Sequence, residues 1–133
     1  MSVSDDNLVC SSPTLNAEFN LALDEELGKA LSGIAIHSCG NWAHTMPSIR
    51  ECVPSCVAID CALNLAMDPC PNVPEHVRDA LAGTGIAVQI RMGGEPETIL
   101  DVVKRAFHPD LRLIVQPATP DEARVILNLP KKG

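Results

Sequence analysis

Apolar positions recur at two different periods along this chain, and the alternation between those periods predicts its architecture. Leu15, Phe19, Leu23, Leu27 and Leu31 follow one another at strict four-residue spacing. That is one stripe on a helix of about five turns, capped by Ser12, opened by Pro13 and stopped by Gly33. The run 33–40, with Ile34, Ala35 and Ile36 leading into His37-Ser38-Cys39-Gly40, reads as a short strand ending in a polar turn. A short helix beginning near Pro47 and carrying Ile49 is broken by Pro54, and 56–60 is a second strand. The prolines of 67–72 mark a loop. Pro74 opens a helix with Val77, Ala80 and Leu81 on it, and Gly83 and Gly85 end it. A third strand covers 86–90, Gly93-Gly94 turns the chain, and Pro96 starts a helix bearing Ile99, Leu100, Val103 and Phe107. A fourth strand covers 111–115. Thr119-Pro120-Asp121-Glu122 is a capping box for a last helix with Val125, Ile126 and Leu127.

This order predicts an α/β fold, with four parallel βα units preceded by a helix. Short apolar strands alternating with amphipathic helices require right-handed crossovers and a buried parallel sheet. Residues 1–11 are polar and read as a flexible N-terminal segment, leaving 12–133 as the single domain. Four such units suit either a small open doubly wound domain or half of a (β/α)8 barrel, whose full form takes ~250 residues.

Composition narrows the partners. The 133 residues carry 17 acidic against 10 basic side chains, a net charge of −7. Basic residues adjoin one another only as the pairs Lys104-Arg105 and Lys131-Lys132, so the clustered cations and stacking aromatics that nucleic acid demands are missing. The N-terminus shows neither a basic n-region nor an apolar h-region, and no apolar stretch approaches the ~20 residues that span a bilayer. The expectation is a cytoplasmic protein with no nucleic-acid or membrane partner. Its six cysteines then read as buried hydrophobes, metal ligands or redox thiols rather than disulfides.

Parallel α/β folds build their sites at the C-terminal ends of strands. The first strand presents His37, Cys39, Gly40 and Asn41 there, the second Asp60, Cys61 and Asn64, the third Gln89, Arg91 and the Gly93-Gly94 turn, and the fourth Gln116. Residues two apart in a strand share a face, so His37 and Cys39 can converge on one metal. Imidazole and thiolate are zinc ligands, and a catalytic zinc keeps three protein ligands and one open position. Cys61, ending the neighbouring strand, is the plausible third ligand, ahead of Asp60 and His76. The plainer reading is a His and a Cys packed beside a glycine turn. Cys56 is expected in the core, Cys52 on a helix and Cys70 exposed. Arg91 suits a carboxylate or phosphate, against the commoner local salt bridge. Asp60 suits acid–base work if burial perturbs it, against a role capping its loop through Asn64. Trp42 lines a pocket or, more simply, packs against a helix.

These strand ends also carry a family resemblance. Ile36-His37-Ser38-Cys39-Gly40-Asn41 resembles the H-x-C-G segment of the uroporphyrinogen decarboxylase superfamily, which includes cobalamin-dependent methyltransferases acting on thiols. Ser12-Pro13 with Glu18-Phe19, Ala58-Ile59-Asp60 with Asn64-Leu65-Ala66, Val88-Gln89 with Gly93-Gly94-Glu95-Pro96, and Thr119-Pro120 with Glu122-Ala123 are similar to further family segments, in family order. The resemblance implies the C-terminal half of a (β/α)8 barrel, and an enzyme of carboxy-lyase or corrinoid-dependent methyltransferase type. It implies a small-molecule substrate, either a tetrapyrrole or a thiol with a corrinoid methyl donor. In the methyltransferase branch the H-x-C pair binds zinc, which gives His37 and Cys39 as ligands. The family's further cysteine is missing from Val115-Gln116-Pro117, which leaves Cys61 to complete the set. In that version Asp60 and Gln89 orient the substrate and Arg91 binds an acidic group. The decarboxylase branch uses no cofactor. Half a barrel leaves strand edges unpaired, so the expectation is a homodimer or a partner supplying the missing half. The alternative is a non-catalytic α/β metal-binding or interaction module.

Overall fold

A computed structural model describes residues 1–116 and 119–127; Pro117 and Lys131-Lys132 of the sequence reading lie outside them. The protein is α/β. Five parallel strands, β1 (Ser2–Ser4), β2 (Ile34–His37), β3 (Cys56–Ala62), β4 (Ala87–Arg91) and β5 (Arg112–Val115), form one sheet in chain order. Between them run α1 (Pro13–Leu15) and α2 (Leu21–Ala30), then α3 (Met46–Cys52), α4 (Pro74–Leu81) and α5 (Pro96–Ala106), with α6 (Pro120–Leu127) after β5. Because spatial order equals chain order, every crossover steps the same way, and right-handedness puts all of the helices on one face. Consecutive helices from α2 to α6 accordingly pack side by side as a single layer. No helix among the described residues is long and apolar enough to cross a membrane.

Side chains alternate across each strand, and the register turns that alternation into two unlike faces. Ile36, Ile59, Val88 and Leu113 are partners in one row, and with Cys61 and Ile90 they face the helices. Ile36, Ile59, Cys61, Val88 and Ile90 are fully buried. The opposite face carries the rows Ser2-Ala35-Ala58-Ala87-Arg112 and Ser4-His37-Asp60-Gln89-Ile114. Apart from Ile114 it is lined by small and polar side chains and Arg112, and no helix among the described residues forms a layer over it.

The N-terminal segment is structured where the sequence suggested a flexible flank. β1 pairs with β2, a 3-10 helix follows over Asp6–Val9, and Leu8 is completely buried. Three strand residues carry too little periodicity to register as an element. The single helix expected from Ser12 to Leu31 is also modified. A π-helical turn over Asn16–Asn20 joins α1 to α2, and the stripe Leu15, Phe19, Leu23, Leu27 and Leu31 faces solvent, each residue 43–61% exposed. The side of α2 that meets the core holds Leu21, Asp24, Glu25 and Gly28 instead. Periodicity shows that five residues share a face, but not which face the sheet receives.

Gly28 explains part of that choice. A Cβ there would lie 1.9 Å from Ser55 Oγ, which itself donates to Glu25 Oε2 at 2.6 Å while Ser55 N–H donates to the same oxygen at 3.0 Å. These bonds hold the Glu25 carboxyl below its usual range, with Lys29 adding a smaller pull. A mid-helix Gly→Ala change normally stabilises by ~1 kcal/mol. Here Gly28→Ala is expected to destabilise by about 1–3 kcal/mol through overpacking, and Ser55→Gly in the same chain should recover part of the loss in urea titrations.

Asp24 faces inward with Oδ2 unpartnered among the described residues. Burial first, and the Asp5 charge second, push its carboxyl up to about 6. A folded-state pKa above the unfolded value means that the native state binds more protons between about pH 4 and 6, so this group lowers stability as pH rises through that window. Asp24→Asn should therefore gain about 1–3 kcal/mol relative to the parent between pH 4 and pH 7, read as the difference between two denaturation series. A gap that does not change with pH would exclude this assignment.

Candidate metal centre

The C-terminal end of β2 is assembled by hydrogen bonds from two directions. From the N-terminal side, Met1 O accepts from Ala35 N–H and Asp5 N–H donates to His37 O, both at 2.8 Å. This zips the first residues along β2 and carries Asp6 to the turn, where Asp6 Oδ1 accepts from Cys39 N–H at 2.9 Å. From the proline loop, Asp68 accepts from Gly40 N–H at 2.9 Å and from Cys70 N–H at 2.8 Å, bonds that keep its carboxyl below the ordinary range. Asn72 accepts from Trp42 N–H at 2.9 Å and donates to Gly40 O and Ala62 O. Gly40 itself sits at φ +73°, and a Cβ there would lie 2.9 Å from Val9 Cγ2, so glycine is required on both counts.

On this support, Cys39 Sγ lies 3.6 Å from His37 Nε2. The Asp6 carboxylate joins them, and one donor atom from each of the three lies within 4.8 Å of the others. Behind His37, Asp60 Oδ1 stands 3.6 Å from Nδ1 and accepts from Arg91 Nε at 2.6 Å. Gln89 Nε2 donates to Gln116 Oε1 at 2.8 Å on the same open face. Asn64 braces the Gly93 turn, donating to Gly93 O at 2.6 Å and accepting from Gly93 N–H at 3.3 Å. Asp60 is thus tied to Arg91 rather than to its own loop.

The structure brings His37, Cys39, Asp60, Gln89 and Arg91 to one face and leaves Cys61 out. His37 pairs in register with Asp60, so Cys61, one residue on, points the other way into the helix-covered core. It is fully buried, and burial pushes its thiol up to about 12. The third donor is Asp6, at the start of the 3-10 helix, which sequence reasoning missed because β1, the strand that carries it to the turn, is only three residues long. His76 lies on α4, beside His44 and Asn41 around a shallow depression, and outside the cluster. All six cysteines are free, with Cys56 buried and Cys10, Cys39 and Cys70 exposed. Trp42 is fully buried in the core rather than lining a pocket.

The donor set fits a zinc-type ion. With Zn–S near 2.3 Å and Zn–N near 2.05 Å, tetrahedral geometry separates thiolate and imidazole donors by about 3.6 Å. A carboxylate has two oxygens, so Asp6 can hold the Cys39 N–H and still ligate. Asp60 Oδ1, 3.6 Å from Nδ1, stands beside the other ring nitrogen, the side on which a ligating histidine usually meets its outer-shell partner.

The fold and this cluster define an α/β protein with a one-sided parallel sheet and a carboxylate–histidine–cysteine site at its strand ends. Comparison of the chain with protein-family models, curated proteins and solved structures gives no match in any of the three.

Proposed function

We propose that this chain is a metal-binding α/β protein in which Asp6, His37 and Cys39 hold a zinc-type divalent ion facing a small-molecule substrate. The observation that carries this reading is the 3.6 Å separation of Cys39 Sγ from His37 Nε2, with Asp60 on the other ring nitrogen. Such an ion supplies Lewis acidity, favouring the thiolate or hydroxide form of what it binds. The protein's own contribution is positional. Asp60 orients the His37 ring, Arg91 balances the Asp60 charge, and the open face beyond them offers Gln89 and Arg91 to an acidic group on the substrate.

Methyl transfer to a thiol is the reaction class best suited to that donor set. Five strands in chain order under one helix layer support the reading as part of a (β/α)8 barrel, because consecutive units of such barrels run in that order. The decarboxylase reading, with a tetrapyrrole substrate, draws only on Arg91 and Arg112 as cations on the open face. The non-catalytic alternative keeps the ion and drops turnover.

Zinc content and zinc titration of the purified chain test the proposal. Near-stoichiometric binding that is lost in Cys39→Ala is expected. Zinc at background level after the metal has been offered would overturn it. Bound zinc without methyl transfer from a methylcorrinoid to a small thiol would select the non-catalytic form.

A further inference from the structure

The first long helix is inside out. Its core-facing side carries Asn16, Asp24 and Glu25, with Leu21 as its one large apolar side chain, whereas Leu15, Phe19, Leu23, Leu27 and Leu31 lie exposed along the other. Surface helices of single-chain proteins show the reverse pattern. The polar side is committed inward by specific bonds: Asn16 to Leu8 O, Ser11 O and Thr45 Oγ1, and Glu25 to Ser55. The helix therefore cannot roll to hide its leucines.

We infer that this stripe is the contact surface for a second copy of the same chain, packed antiparallel about a two-fold axis at Leu23. Three features select a second copy. The first is symmetry: large apolar residues stand at equal steps on either side of Leu23, so a two-fold there sets Phe19 against Leu27 of the second copy, and the reverse, as an isologous contact requires. Rows at i±4 also form the ridges used in the commonest helix–helix packing class.

The second feature is charge. The same axis sets Glu18 beside Lys29 of the second copy, along one flank of the stripe. Lys29 is 73% exposed at its side chain and holds its own Glu25 only at 3.5 Å, so it can serve both carboxylates. Glu26 falls opposite Asn20 rather than opposite another acid, and two chains of net −7 thus meet without like charges facing across the seam.

The third feature is area. At roughly 180 Å² of accessible surface per large apolar residue, the stripe exposes about 450 Å² on each copy, within the roughly 300–600 Å² of the largest patch on a typical monomer and of the kind that is often functional. Covering it twice, with the exposed Ala22, Glu26 and Ala30 alongside, reaches the ~1,000 Å² that marks a specific interface.

Light scattering after gel filtration, on the full chain at micromolar concentration, tests this. The parent is expected to be a dimer. Leu23→Glu is expected to be a monomer with an unchanged circular dichroism spectrum, because Leu23 is 61% exposed and outside the core. Glu18→Lys and Lys29→Glu should each weaken the dimer about tenfold, and the double exchange should restore it. A monomeric parent at 100 µM, or a dimer indifferent to Leu23→Glu, would overturn the proposal. Failure of the double exchange to restore binding would overturn the antiparallel register.

Discussion

Cys61→Ala is expected to leave zinc affinity unchanged, while Cys39→Ala and His37→Ala each lower it by at least about 100-fold. The two thiols stand near the ends of neighbouring strands but on opposite faces. Cys39 Sγ stands 3.6 Å from His37 Nε2 at an exposed turn, whereas Cys61 is sealed among the core side chains with its thiol pushed up to about 12. A metal needs the thiolate, and nothing near Cys61 favours that form strongly enough to offset its burial. Its loss should instead appear as stability, about 1 kcal/mol for a small buried side chain. Asp6→Asn removes an anionic ligand and should weaken binding strongly. Asp60→Asn, which touches no ion, should cost about 10–100-fold by loosening the ring of His37. Isothermal titration with zinc, paired with urea denaturation of each variant, separates the two kinds of effect. Loss of binding in Cys61→Ala, with Asp6→Asn unaffected, would replace the Asp6 site by one built on the two cysteines.

Asn16→Ala is expected to destabilise the fold by about 2–4 kcal/mol and to weaken zinc binding without altering a ligand. Asn16 is completely buried. Its Nδ2 donates to Leu8 O at 2.9 Å, Ser11 O at 3.1 Å and Thr45 Oγ1 at 2.7 Å, and its Oδ1 accepts from Asn20 Nδ2 at 2.7 Å. One amide therefore ties the π-helical turn to the N-terminal segment and to the loop before α3. Truncation leaves the Leu8 carbonyl and the Thr45 hydroxyl short of a donor, each at a cost of about 1–3 kcal/mol where no water replaces it, while Ser11 O keeps its bond from His44 Nε2 at 3.0 Å. The segment so released is the one that brings Asp6 to Cys39. Hydrogen exchange should show faster opening of residues 1–11 than of β3 and β4, and the fall in zinc affinity should follow that opening. Unchanged exchange at the N-terminus would show that β1 and Leu8 hold the segment without Asn16.

The alternating periods predicted the class of fold and most of its elements. Pro13, Pro47, Pro74, Pro96 and Pro120 each stand in the first turn of a helix, and the apolar runs between them became strands β2 to β5. Those signals are local, being set by fixed φ at proline and by side-chain alternation, so the sequence determined them alone. The pairing of His37 with Cys39 was legible for the same reason, since two-residue spacing in a strand dictates a shared face. Tertiary structure decided what local pattern cannot encode. It placed Asp6, rather than Cys61, beside His37 and Cys39, because strand register puts Cys61 on the helix side while β1 pairing delivers an aspartate more than 30 positions distant in the chain. It also turned the leucine stripe outward, because Gly28, Glu25 and Asn16 fit Ser55, Thr45 and Leu8 on the inner side. A stripe or a ligand pair records which residues share a face. Which face meets the core, and which distant residue completes the site, follows only from how the strands and helices pack.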